Sequence, residues 1–234
     1  MTAAGVVASL SSTSLRNALA ARAQTLADRG VPALLGFTAG RFASEIERLD
    51  ALLEAGVDTP RTGNVPLTIG IRRGAVDLDK MMALMEAKGA RGVVDMTPLA
   101  PEAFEIRHDV VLPPGDLYLL LDVDTGRDRL NISPEASLAM IRSSKRTPLT
   151  MEEGVSLAVQ HPSLLTDKSL YNSIQMPGSR RANDQRVPAL WISRGRPRLG
   201  WCWDRNFHTW LGSASAAVRL GVAPGHTSAE RPVV

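Results

Sequence analysis

Residues 187–219, VPALWISRGRPRLGWCWDRNFHTWLGSASAAVR, carry the features that set this chain apart. They include all four tryptophans (Trp191, Trp201, Trp203 and Trp210), the single cysteine, Cys202, and His208. The first half of the stretch alternates about Arg194-Gly195-Arg196-Pro197, which predicts two antiparallel strands at 187–193 and 198–203. A two-residue Gly195-Arg196 turn would ask for a hydrogen bond from the nitrogen of Pro197, which has no proton. A four-residue loop, 194–197, is therefore expected, setting Trp191 against Gly200, Ala189 against Cys202 and Ser193 against Arg198. One face then carries Leu190, Ile192, Leu199, Trp201 and Trp203 and reads as core. The other, with Trp191, Arg198 and Cys202, reads as the wall of a site.

Past the hairpin, Asp204, Arg205, Asn206, Phe207 and His208 read as a loop. A short helix is expected over 209–215, whose free N–H groups, with Ser213 or Ser215, can hold an anion. Cys202 and His208 are close enough in sequence for a thiolate–imidazole pair, with Asp204 placed to orient the ring. Between Arg180 and Arg219 there are eight arginines, no lysine and two aspartates, so this segment is +6 while the rest of the chain is −3. Arginine's planar fork pairs bidentately with carboxylate and phosphate, which makes Arg194, Arg196, Arg198 and Arg205 candidate anion ligands.

The remaining chain reads as α/β, with α+β as the alternative: a mixed sheet with flanking helices, an N-terminal helical hairpin and the C-terminal Trp-rich β-hairpin. A flexible start (1–13) precedes a helical hairpin over 14–56, whose Leu15, Leu19 and Leu26, then Phe42, Ile46, Leu49 and Leu53, recur at helical spacing. The Pro/Gly/Thr-rich segment 57–65 reads as a linker into an α/β core domain, 66–220. There, 66–71 and 92–96 read as strands, and 116–123 (DLYLLLDV) as a central strand covered on both faces. Asp77 opens a helix expected to close at Lys88-Gly89, with Met81, Met82 and Met85 as its core face. Ser133-Pro134-Glu135 starts another helix. Thr150-Met-Glu-Glu153 is a capping box for one ending near His161. Segment 168–185 reads as a polar surface loop, and 221–234, with His226, as a disordered tail.

Several chemistries fail on spacing. Asp122, Asp124 and Asp128 resemble neither a complete aspartyl-nucleophile motif nor a calcium loop, and read as a strand ending in an Asp-Gly turn with Arg127 and Arg129 pairing locally. No dinucleotide or phosphate-loop glycine pattern and no Gly-x-Ser-x-Gly elbow is present, so no cofactor is expected. One cysteine and scattered histidines make no structural zinc site in a monomer. The lone cysteine argues for a reducing compartment, and no run of eighteen apolar residues suggests a membrane span; a cytoplasmic protein is expected.

The motifs VPALWISRGRPRLGWCW and NFHTWLGSAS, with LLLDVDTGRD and TPLTMEEGV, resemble an actinobacterial family, domain of unknown function 5701. The resemblance spans roughly residues 20–219 and implies a bacterial cytoplasmic setting, but no activity. The loop 168–185 is longer than the family's usual form. Three functions stay open. One is a binding protein whose Arg/Trp/His surface holds an anionic small molecule or nucleic acid. The second is a small enzyme using Cys202 or His208 on a carboxylate- or phosphate-bearing substrate. The third is an interaction protein whose tryptophans are core.

Overall fold

A computed structural model describes residues 11–54, 57, 63–167 and 173–223. Most of the expected flexible start, most of the expected linker, and the tail with His226 lie outside the described residues.

Helices α1 (Ser12–Asp28), α2 (Val31–Leu34) and α3 (Ala39–Glu54) open the chain, followed by β1 (Val65–Ile71) and α4 (Leu78–Ala83). Three two-residue strands come next: β2 (Glu86–Ala87), β3 (Ala90–Arg91) and β4 (Val93–Val94). Then come β5 (Glu105–Ile106), the long β6 (Leu117–Asp124), α5 (Pro134–Ser143), β7 (Thr147–Pro148), α6 (Met151–Gln160) and α7 (Ser163–Thr166). Strands β8 (Ser173–Gln175), β9 (Ser179–Arg180), β10 (Arg186–Ser193), β11 (Arg196–Trp203), β12 (Leu211–Ser213) and β13 (Ser215–Leu220) complete it.

The α/β expectation holds, in two main sheets. One is antiparallel, in the order β1-β6-β13-β7; the other is mixed, in the order β12-β8-β10-β11-β4. Strand β6 is central in its sheet and its Leu117, Leu119, Leu120 and Leu121 are fully buried, as its continuous apolar run requires. Leu15, Leu19 and Leu26 of α1 bury against β1 and α6, so the N-terminal helices share the main core.

Helix α6 is buried along its whole length between β1, α4, α1 and β10. Its capping box forms as read: Thr150 accepts from the Glu153 backbone while the Glu153 carboxylate accepts from Thr150 N. At its far end Gln160 covers the free edge of β1, accepting from Ile69 N at 3.0 Å and donating to Ile69 O at 2.7 Å. His161 ends the helix against Arg22 (Nδ1, 3.2 Å) and Thr68 (Nε2, 3.1 Å). Arginine only donates, so Nδ1 accepts and Nε2 carries the proton. Burial, helped by the Arg22 charge, lowers the His161 pKa from 6.5 to about 4. The unfolded chain therefore takes up a proton that the folded one refuses, and stability falls as pH drops from about 6.5 towards about 4. The loss is about 3 kcal/mol. Urea midpoints for the wild type and His161→Gln should diverge in their pH dependence over that window; parallel curves would contradict this.

Four local expectations are corrected. The helix from Asp77 stops at Ala83, because Lys88 and Gly89 (φ 51° and 76°) form the two-residue turn of the β2–β3 hairpin rather than a helix terminus. The expected strand 92–96 shortens to β4, parallel to β11. The polar segment 168–185 is no surface loop throughout. It supplies β8 and β9, and Ser173, Gln175 and Ser179 are buried. The helix expected over 209–215 is replaced by β12 and β13, which carry the chain from one sheet to the other.

Candidate functional site

The β10–β11 hairpin forms, but two residues tighter than the expected four-residue loop. Arg194 and Gly195, both at positive φ (50° and 82°), make the turn, so Trp191 pairs with Arg198, Ala189 with Gly200 and Ser193 with Arg196. Pro197 sits opposite Ile192, next to the turn-closing Ser193–Arg196 pair. In an antiparallel ladder that is a position from which no hydrogen bond to the partner strand is asked, and so the proline is tolerated. A slip of two residues leaves each side chain on its face, so the division into a core face and a mixed face survives, except that Trp203, expected in the core, is 39% exposed at the end of β11.

On the core face Leu190 and Leu199 are fully buried, and Trp201 donates through Nε1 to Met96 O at 2.9 Å. Trp203 stands edge-on to Trp201 at 5.1 Å, and the Arg186 guanidinium lies 4.7 Å from the first ring and 5.0 Å from the second.

The mixed face gathers the candidate residues into a chain of contacts. Arg198 is held by Asp95 at 2.9 Å and lies 5.4 Å from the Trp191 ring centroid. Trp191 lies across Gly200, where a Cβ would stand 2.5 Å from its ring. Trp210 meets Trp191 edge-on at 6.4 Å, and His208 meets Trp210 edge-on at 5.4 Å. Trp210 is 40% exposed and the neighbouring Phe207 68%. The loop 204–210 is strapped to α5 and to the turn before it: Glu135 N donates to Asp204 O and Asn131 N to His208 O. Arg194 and Arg196 are exposed at the hairpin tip, and among the described residues neither takes part in an ion pair. Arg205 pairs with Glu135 at 3.3 Å between two exposed side chains, a contact of little energetic weight. Asn206 is exposed and closes the turn after β11, its N–H donating to Trp203 O.

Other expected members are not available to a ligand. Ser213 and Ser215 are fully buried strand residues. Ser213 donates to Gln175 at 2.8 Å, and Ser215 accepts from Arg146 at 2.9 Å. With no helix at 209–215, no helix N-terminus is present to hold an anion there. Cys202 is buried among Val187, Ala189 and Leu211, and its sulfur accepts from Gln175 Nε2 at 3.5 Å. Burial raises its pKa to about 12, with only partial relief from Gln175 and Arg180, so the thiol stays protonated at neutral pH. Asp204 gives its Oδ2 to Arg180 at 2.8 Å, not to an imidazole. Burial also lowers the His208 pKa, leaving a neutral ring whose Nε2 has no hydrogen-bond partner. The thiolate–imidazole arrangement is therefore not the state of this site. Iodoacetamide should label Cys202 only in denaturant; rapid labelling of the native protein near neutral pH would contradict this assignment.

At the end of β6 Asp124 follows the Asp-Gly turn reading, whereas Asp122 is buried and pairs outside the turn. Asp124 accepts from Gly126 N at 2.7 Å and pairs with Arg129, while Asp122 pairs with Arg146 at 2.6 Å. Sequence reasoning missed Asp95 and Gln175. Asp95 meets Arg198 only because β4 runs beside β11, and Gln175 lies on a strand too polar to be recognised.

Among the described residues no helix is long and apolar enough to cross a membrane. A family model described as a family of unknown function (DUF5701) matches residues 25–222. No curated protein and no solved structure matches the chain.

Proposed function

The chain belongs to DUF5701, and on that footing we propose that it is a non-catalytic binding protein whose hairpin surface holds an anion carrying a flat ring, with single-stranded nucleic acid as the polymeric form of that ligand. The observation that supports this most is the contiguous run Arg196, Arg198, Trp191, Trp210 and His208 on one face. It sets two guanidinium groups beside three aromatic rings, which is the combination that grips phosphates and stacks bases. Exposed Trp210 and Phe207 form an open surface, which suits a strand passing over it better than an enclosed small molecule. The neutral His208 ring, edge-on to Trp210, extends the aromatic surface. The net negative charge of the rest of the chain confines the contact to the hairpin side. A lone, unbridged cysteine fits a reducing compartment, and we place the protein in the cytoplasm of an actinobacterial cell, as the resemblance of its tryptophan motif implies.

An oligothymidylate titration followed by fluorescence anisotropy tests this. Trp210→Ala should weaken binding by about 1–3 kcal/mol, roughly five- to 150-fold. Trp203→Ala, on the opposite face, should leave it unchanged. Equal losses in both variants, or no binding by the wild type, would overturn the proposal.

A further inference from the structure

A second feature lies away from the hairpin face and shares no residue with it. Between the turn after β1, the start of α4, the segment 101–102 and the start of α6 is a recess of about 310 Å³, the size of a small-molecule site. Its wall carries Asp77, Asp79, Glu102 and Glu152 against a single cation, Arg73. Glu152 is the unusual member. It is only 8% exposed, its Oε2 has no hydrogen-bond partner, and its Oε1 is 3.9 Å from Arg73 Nε, beyond hydrogen-bonding range. The capping box of α6 is made by Thr150 and Glu153, and Ser179 Oγ accepts from Met151 N, so Glu152 is no part of the box. A carboxylate buried with an empty acceptor is costly unless a donor joins it. Arg73 is turned partly elsewhere, donating to Glu102 O at 3.0 Å.

We propose that this recess binds a small organic cation, a primary ammonium or guanidinium group, with Glu152 Oε2 accepting its hydrogen bond and Asp77, Asp79 and Glu102 supplying the surrounding negative field. An ammonium brings three donors and a guanidinium five, enough to satisfy Glu152 and a second carboxylate together. Burial raises the Glu152 pKa, and a bound cation reverses the effect by favouring the ionised form. Among the described residues no aromatic ring lines the recess, which sets it apart from a cage for quaternary ammonium.

Isothermal titration of the full chain with 1,4-diaminobutane and with agmatine, against 1,4-butanediol as the uncharged control, tests the proposal. The two cations should bind and the diol should not. Glu152→Gln should weaken cation binding at least tenfold while the melting temperature stays at or above that of the wild type. Asp79→Asn, an exposed change that folding tolerates, should weaken it several-fold and gives the answer if Glu152→Gln fails to fold. Binding of the diol as tight as that of the diamine, no cation binding, or cation binding unchanged in the variants would each overturn the proposal.

Discussion

Arg219→Ala is expected to cost about 3–5 kcal/mol of folding free energy. Arg219, on β13, is 6% exposed in its side chain, and its partner Glu153, on α6, is fully buried. The guanidinium grips both carboxylate oxygens, each at 2.7 Å, and donates also to Thr147 and to Pro148 O. Glu153 in turn accepts from the Tyr118 hydroxyl at 2.9 Å and from Thr150 N at 2.8 Å. Removing the arginine leaves a charge in the interior with two neutral donors in place of the cation. That penalty, rather than the net worth of the pair, sets the size of the effect. The double variant Glu153→Gln/Arg219→Met should recover much of the loss. Chemical denaturation measures all three proteins, and a cost below about 1 kcal/mol for Arg219→Ala would contradict the network described.

Gly212→Ala should be nearly as damaging, at about 3 kcal/mol, the upper end for overpacking. Gly212, in β12, lies backbone to backbone against Gly126, so that a Cβ would fall on the Gly126 carbonyl. Neither segment is free to retreat. Gly126 is held at φ 85° in a turn whose Gly126 N–H donates to Asp124 Oδ1, and β12 is paired with β8. The same contact fixes where Trp210 emerges, two residues earlier. Gly212→Ala should therefore lower the melting temperature and also disturb tryptophan emission, whereas Gly40→Ala, in open space on a helix, should do neither. Similar stability in the two variants would count against the packing.

Much of the fold could be read from short-range signals. The Ser133-Pro134 and Thr150–Glu153 starts mark α5 and α6 because a cap is a local hydrogen bond, written within four residues. The apolar run of β6 and the two faces of the hairpin follow from periodicity. Signals that serve two structures misled. Lys88-Gly89 suits a helix end as well as a hairpin turn, and Gly212, Ser213 and Ala214 suit a helix start as well as two strands in a tight space. Strand β8 was hidden because Ser173 and Gln175 are polar yet buried, Gln175 being satisfied by Ser213 and by the sulfur of Cys202. Within the site, Trp191 beside Arg198 follows from sequence once the turn is right. Trp210 edge-on to Trp191, and Asp95 paired with Arg198, depend on strand order, which no local pattern carries. For the recess the available signal is the second acid of Thr150-Met-Glu-Glu153: Glu153 completes the capping box and Glu152 does not.

The binding surface itself is tested most directly by the salt dependence of oligothymidylate binding to the wild type and to Arg196→Ala. Arg196 is exposed and outside every described ion pair, so its loss should leave folding intact. If it contacts a phosphate, the slope of log Kobs against log salt should fall by about 0.7 in the variant. A slope identical to that of the wild type, or no measurable binding by the wild type at low salt, would contradict the account.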